Sequence, residues 1–251
     1  MTSSSTFSSS SASQNVYVVR PEGRYIASGF AADIYQTGEC CVIKRPKFFP
    51  GYDAENQSFR DLVDNERKVY ERLGSHEGII TYFGISDEST GTIKLAYANN
   101  GDLSDYITTC PKPSKADRAA MIRLLSTTWF HIYSQNVSVQ DIKTENILVQ
   151  GGVPRVGDFT QSIIFPLDAN MRKICPKDTL RVDLVGIGCV IYSIAAWDVF
   201  NYDYFAEQRW PGPEDLKPTD HIMCGEIIKK CWNGKYSSVE ALYDDVINLL
   251  G

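Results

Sequence analysis

Asp141-Ile-Lys143-Thr-Glu-Asn146, followed after two apolar stretches by Asp158-Phe159, is the part of the sequence on which the fold turns. Between the two motifs lie Ile147-Leu148-Val149, the turn Gly151-Gly152 and Val153–Val156, so the spacing reads as loop, strand, turn, strand, loop. Two carboxylates and an amide thus flank one hairpin. Their oxygens are of the kind that hard cations take. Each motif alone also reads as a surface Asp-Lys turn or a chance Asp-Phe. In order and at this separation, the pair is far more specific than either member.

Working outward, the residues before this stretch are rich in short strands. Val16–Val19, Tyr25-Ile26, Ile34-Tyr35 and Cys41–Ile43 are broken by small residues and by the turn signal Thr37-Gly38-Glu39. Residues 55–73 predict a helix, with Leu62, Val63, Val69, Tyr70 and Leu73 at helical spacing and Gly74 as its stop. Two more strands are expected from Ile79 to Phe83 and from Thr92 to Tyr97, before a turn at Asn99-Asn100-Gly101. Thereafter the pattern becomes helical. Met121, Leu124, Leu125, Thr128 and Ile132 stripe a helix over 115–134, and others are expected over 182–197, 220–232 and 237–249. The fold class is α+β, with a strand-rich lobe followed by a larger helical lobe.

Composition narrows the function. The chain has 251 residues, a net charge of −6 and 43% hydrophobic residues, which is ample for a core. An acidic chain lacks the electrostatic footprint of a partner for nucleic acid or anionic lipid. Its apolar runs look far short of the roughly 20 residues that a membrane helix needs. The seven cysteines show no zinc-like pairing, and no signal peptide opens the chain. Reduced thiols and a cytoplasmic, or otherwise intracellular, setting are the expectation. Residues 1–14 are small and polar, and are expected to form a disordered tail.

The ordered set of motifs resembles the protein kinase superfamily. Asp141, Lys143 and Asn146 match the catalytic loop D-L-K-x-x-N, and Asp158-Phe159 matches D-F-G. Val42-Ile43-Lys44 is similar to V-A-I-K. Asp183-Leu-Val-Gly-Ile-Gly188 is similar to the buried helix that ties up the catalytic loop. The resemblance covers roughly residues 22–249. Glu71–His76 together with Cys231–Gly234 looks most like small fungal members.

The resemblance implies a bilobal fold, with an antiparallel-sheet N-lobe over about 15–95, a hinge over 96–101 and a helical C-lobe over 102–251. It implies ATP and Mg2+ as cofactors and an unidentified protein as substrate or partner. Asp141 would orient the acceptor hydroxyl, Lys143 would neutralise the γ-phosphate, and Asn146 and Asp158 would ligate Mg2+. Lys44 would reach the α- and β-phosphates, held by Glu66. Glu71 is its nearest competitor but lies off the face set by Val69 and Leu73. Leu95 would be the gatekeeper, and Ala96 and Ala98 would meet the adenine edge. Asp102 would face the ribose or cap the next helix. Val42 and Leu148 would also line the nucleotide site, with Ala27, Gly29 and Ile34 from the phosphate loop.

Several positions depart from the pattern. Ala27 and Ala32 stand where two of three loop glycines belong, leaving Gly29. Val139-Gln140 replaces His-Arg before Asp141, which removes the arginine that pairs with a phosphorylated loop. Thr160 replaces the glycine after Asp-Phe. The segment from Asp158 to Asp183 is short and lacks A-P-E, Cys175-Pro176-Lys177 being a poor substitute. No arginine stands near Gly234–Ser238 to pair with the absent glutamate. Two readings follow: an atypical serine/threonine kinase, or a pseudokinase that holds nucleotide or serves as a scaffold. A small-molecule phosphotransferase is a third, and Lys143 speaks against it.

Overall fold

The computed structural model describes residues 23–251. The expectations for residues 1–14 and for a strand at Val16–Val19 lie outside the described residues. The first part of the chain is a five-stranded antiparallel sheet with one helix. Its elements are β1 (Arg24–Ser28), β2 (Ala32–Gln36), β3 (Cys41–Pro46), α1 (Asp53–Leu73), β4 (Tyr82–Asp87) and β5 (Thr92–Ala96). The strand order is β1-β2-β3-β5-β4. Lys44 is central in this sheet, paired in register with Ile34 on one side and Ile93 on the other.

The helix α1 has no glycine or proline within it and carries Asp53 and Glu55 in its first turn, where acidic side chains favour the positive helix end. Its buried face runs through Val63, Glu66, Val69, Tyr70 and Leu73. Gly74 ends it at φ +66°. Leu62 is only half-buried, so the helical stripe is narrower than the apolar spacing implies.

The expected strand over 79–83 begins later, at Tyr82. The preceding residues are drawn away from the sheet: Ile80 N–H donates to Val156 C=O (3.0 Å), and Val156 N–H donates to Gly78 C=O (2.7 Å). The connection after α1 is thereby stitched to the hairpin that precedes Asp158.

The second part is mainly helical. It comprises α2 (Leu103–Thr109), α3 (Lys115–Ser134), β6 (Val137–Ser138), β7 (Ile147–Gln150), β8 (Val153–Val156), β9 (Ile163–Ile164), α4 (Met171–Ile174), α5 (Lys177–Ala196), α6 (Tyr204–Glu207), α7 (Gly225–Trp232) and α8 (Val239–Leu250). The two parts make a bilobal, kinase-like α+β fold. On α3, Ile122 and Trp129 are fully buried, whereas the expected Leu124 is half-exposed. The expected helix over 220–232 starts only at Gly225, because His221 and Cys224 adopt left-handed φ values of +71° and +63°. All seven cysteines are free.

One sequence expectation needs correcting. The helix α5 is, by length and composition, long and apolar enough to cross a membrane, with a mean hydropathy of 1.6. Here it is the core of the helical lobe, with 72% of that window buried. Leu184, Ile187, Val190, Ile191 and Ile194 pack at its centre.

Candidate active site

The site forms where β3, α1, the catalytic loop and the segment after β8 meet. The strand β3 presents Lys44, which is 7% exposed, and α1 presents Glu66, which is fully buried. Lys44 Nζ lies 2.6 Å from Glu66 Oε2 and 2.9 Å from Asp158 Oδ1. One ammonium thus links the sheet, the helix and the Asp-Phe segment. Burial alone would depress the Lys44 pKa, but the charges of Glu66 and Asp158 outweigh it and hold the pKa above its usual value. Burial raises Glu66, against the pull of Lys44. Asp158 is lowered: burial opposes ionisation there, and Lys44 and Thr160 overcome it. Glu71 is exposed and pairs with Arg67 on its own helix instead.

Phe159 is fully buried, and its ring meets Tyr70 edge-on at 5.0 Å. Tyr70 stands one helical turn beyond Glu66. The same contact therefore fixes the helix that carries Glu66 and the segment that carries Asp158. Asp158 itself takes φ +54°, a left-handed conformation. The Thr160 hydroxyl donates to Asp158 Oδ1 at 2.8 Å. Lys44 and Thr160 both land on Oδ1, so Oδ2 is the oxygen left to face the cleft.

The catalytic loop is held from below. Asp183 on α5 is fully buried and accepts from Val139 N–H (2.9 Å), Gln140 N–H (2.7 Å), Ser138 Oγ (2.6 Å) and Tyr133 OH (2.6 Å). Gly186, one helical turn along, lets the loop approach: a Cβ there would lie 2.4 Å from Ile142 carbonyl oxygen. Above this support, Asp141 Oδ2 accepts from Lys143 Nζ (2.8 Å) and Asn146 Nδ2 (2.9 Å). Asn146 Nδ2 also donates to Asp141 C=O at 2.8 Å. These bonds leave Asp141 Oδ1 and the Asn146 side-chain carbonyl as the free oxygens. The Asp141, Lys143 and Asp158 side chains remain 36%, 41% and 41% exposed, so solutes can reach them.

These oxygens fit Mg2+. One carboxylate oxygen of Asp158 and one amide oxygen of Asn146 are hard donors, and Mg2+ with a nucleotide takes few protein ligands, the rest coming from phosphates and water.

The remaining expected residues lie on the sheet, the segment after β5 and the β7–β8 hairpin. Val42, Leu95 and Ala96 are buried, and Ile34, Ala98 and Leu148 are partly buried against the core. Ala96 N–H donates to Thr81 C=O. Asp102 caps α2, its Oδ1 accepting from Asp105 N–H at 2.9 Å, and it bridges to Leu148. Ala27 and Gly29 lie exposed in the β1–β2 hairpin. Beside the tip of that hairpin, Lys47 N–H donates to Ala31 C=O at 2.9 Å, continuing the β2–β3 pairing, and the largely exposed Phe30 meets Phe59 of α1 edge-on.

Sequence reasoning missed the side chains that hold the segment after Phe159. Asn65 Nδ2, beside Glu66, donates to the carbonyls of Ser162 (2.9 Å) and Thr160 (3.2 Å). Arg72 donates to Phe165 C=O at 3.1 Å. Asn136, at φ +56°, donates to the carbonyls of Pro166 (2.6 Å) and Ala169 (2.9 Å). Gln140, in place of an arginine, donates to Ser138 Oγ and Thr179 C=O. The one available signal was position: Asn65 and Arg72 flank Glu66 on α1, and Asn136 ends the turn after α3.

A family model described as "Protein kinase domain" matches residues 34–180, more than half of the chain. The chain belongs to the protein kinase family. The serine/threonine-protein kinase DCLK1 of Rattus norvegicus is 25% identical over 185 residues, which is 66% of this chain and 40% of that protein. A calcium/calmodulin-dependent serine/threonine-protein kinase of Malus domestica is 22% identical over 198 residues, covering 69% of this chain and 45% of the relative. Over a shorter span of 89 residues, the serine/threonine-protein kinase GD17699 of Drosophila simulans is 34% identical, covering 35% of this chain and 12% of that protein. The chain thus spans less than half the length of these relatives.

Proposed function

We propose that this chain is an atypical serine/threonine kinase that transfers the γ-phosphate of Mg-ATP to a protein hydroxyl. The observation that carries the reading is the closed relay from Glu66 through Lys44 to Asp158, with links of 2.6 and 2.9 Å. Bound Mg-ATP would supply the phosphoryl donor and the divalent charge. Lys44, held by Glu66, would orient the phosphates. Asp158 Oδ2 and the Asn146 carbonyl would hold the cation. Asp141 Oδ1 would accept the hydrogen bond of the acceptor hydroxyl, while Lys143, 2.8 Å from Oδ2, would hold that carboxylate in place and add positive charge beside the transferred group. The Lys143 pKa is raised: burial pulls it down, and Asp141 more than restores it.

The pseudokinase reading is favoured by one specific feature, the β1–β2 hairpin, where Ala27 and Ala32 stand in place of glycines and restrict the backbone of a phosphate cover. The two readings separate in a radiolabelled γ-phosphate assay on a mixed protein pool, run beside thermal shift with Mg-ATP. A thermal shift without labelled protein supports the pseudokinase. Labelling that Asp141→Asn abolishes supports the kinase.

A further inference from the structure

We propose that a cavity between α4, the first turn of α5 and the loop before α8 receives a phosphoryl group carried on the protein substrate. The inference rests on the kinase reading above and names the substrate class. The cavity has a volume of about 640 Å3.

Its charge is opposite to that of the chain. Arg172, Lys177, Arg181 and Lys235 line it, with Asp178 as its acid, on a protein of net charge −6. Arg172 pairs with Glu240. Among the described residues, no ion pair joins Lys177, Arg181 or Lys235 to a carboxylate.

Arg181 is pre-positioned. Its guanidinium stacks over Trp210 at 4.1 Å, and its Nε is buried without a hydrogen-bond acceptor. Gly234, at φ +60°, makes room for it, since a Cβ there would lie 3.2 Å from that Nε. That Nε is closed to solvent, so the N–H groups at the end of the guanidinium are the ones left for a phosphoryl oxygen, a strong acceptor for an arginine. At the same end of the cavity α5 begins at Pro176 with no side-chain cap, leaving first-turn N–H groups without a side-chain acceptor.

Place and size argue for a protein-borne phosphate. Thr179, in that first turn, accepts from Gln140 Nε2 at 3.0 Å, and Gln140 adjoins Asp141. A peptide with its acceptor at Asp141 therefore reaches the cavity within a few residues, at about 3.3 Å each. The volume far exceeds that of a phosphate ion, and Met171, Leu180 and Leu184 supply apolar wall for the carrying chain.

The test uses a fluorescein-labelled degenerate peptide pool with a central phosphoserine, its serine counterpart, and the full chain. The expected result is binding about tenfold tighter for the phosphoserine pool, or roughly 1.4 kcal/mol. Arg181→Ala and the exposed pair Lys177→Ala/Lys235→Ala should each abolish the difference. Inorganic phosphate should compete only at concentrations far above those of the peptide. Equal binding of the two pools, a difference that survives in both variants, or competition by inorganic phosphate at peptide concentration overturns the proposal. Phosphotransfer is scored separately. If the pools are discriminated but no protein is labelled, the kinase reading falls and the phosphoryl receptor stands.

Discussion

The ring of Tyr70 meets the ring of Phe159 edge-on, with centroids 5.0 Å apart and planes at 85°. Both side chains are buried. The contact joins α1 to the segment after β8, and so sets the distance between Glu66 and Asp158 that Lys44 spans. The segment after Phe159 is held further by Asn65, Arg72 and Asn136, which donate to its main-chain carbonyls.

Lys44→Ala should lose phosphotransfer and stability together. The substitution leaves Glu66 buried without its counter-charge, a change that typically costs about 3–5 kcal/mol. Because burial already raises the Glu66 pKa, protonation will recover part of that loss. Adding Glu66→Gln to Lys44→Ala should raise the unfolding midpoint above that of the single variant without restoring transfer. Urea melts of the three proteins check this; equal midpoints for the single and double variants contradict it.

Gly186→Ala should displace the catalytic loop. The new Cβ would stand 2.4 Å from the Ile142 carbonyl oxygen, a backbone atom with no flexible end to yield. A loss of about 1–3 kcal/mol is expected from overpacking. Phosphotransfer should fall more than Mg-ATP binding, because Ile142 adjoins Asp141 whereas the sheet-borne part of the nucleotide site is remote. Thermal shift and initial rates on the same preparation separate the two.

Asn136→Gly and Asn65→Ala should loosen the segment from Thr160 to Ala169. Glycine tolerates the φ of +56° at position 136, so that change removes the amide anchors without adding strain. Limited proteolysis within 160–176 should accelerate several-fold in each variant while the global midpoint moves little. An unchanged cleavage rate would remove these amides from the account.

The stacked pair His76 and His131, with centroids 4.6 Å apart, should make stability fall in mild acid. Burial, and then His131, lower the His76 pKa below its ordinary 6.5. The unfolded chain therefore takes up the proton first as pH drops. The contribution is full above pH 6.5 and is lost as pH falls through the folded value. His76 Nδ1 accepts from Gly78 N–H, a bond that protonation breaks. His76→Gln should flatten the dependence of the unfolding midpoint between pH 7 and 5.

The charged centre of the site was legible because its chemistry restricts residue type. Asp141, Asn146, Asp158 and Lys44 have few substitutes, and Glu66 came with the resemblance, helical spacing serving only to set Glu71 aside. Asp183 was legible through the resemblance of Asp183–Gly188 to the buried helix that ties up the catalytic loop. The anchors were not. Asn65, Arg72 and Asn136 bond to main-chain carbonyls, which every residue has, so no partner residue type marks them in the sequence. The late start of β4 was equally hidden. Ile79 and Ile80 have strand composition, but hydrogen bonding with Val156, far along the chain, takes them from the sheet. The apolar length of α5 was misjudged because its interior glycines and Asp183 break the apolar run that the eye follows, while the mean hydropathy stays high.

The proposed phosphotransfer should need no phosphorylated loop, because Gln140 stands where the resemblance implies the arginine that pairs with one. The most direct measurement is the initial rate of γ-phosphate transfer from Mg-ATP to a protein pool by the full chain, before and after phosphatase treatment, with Asp141→Asn as the blank. The account predicts equal rates before and after treatment, with the Asp141→Asn rate lower by about 100-fold or more. Labelling that is the same for wild type and Asp141→Asn, or that vanishes after dephosphorylation, contradicts it.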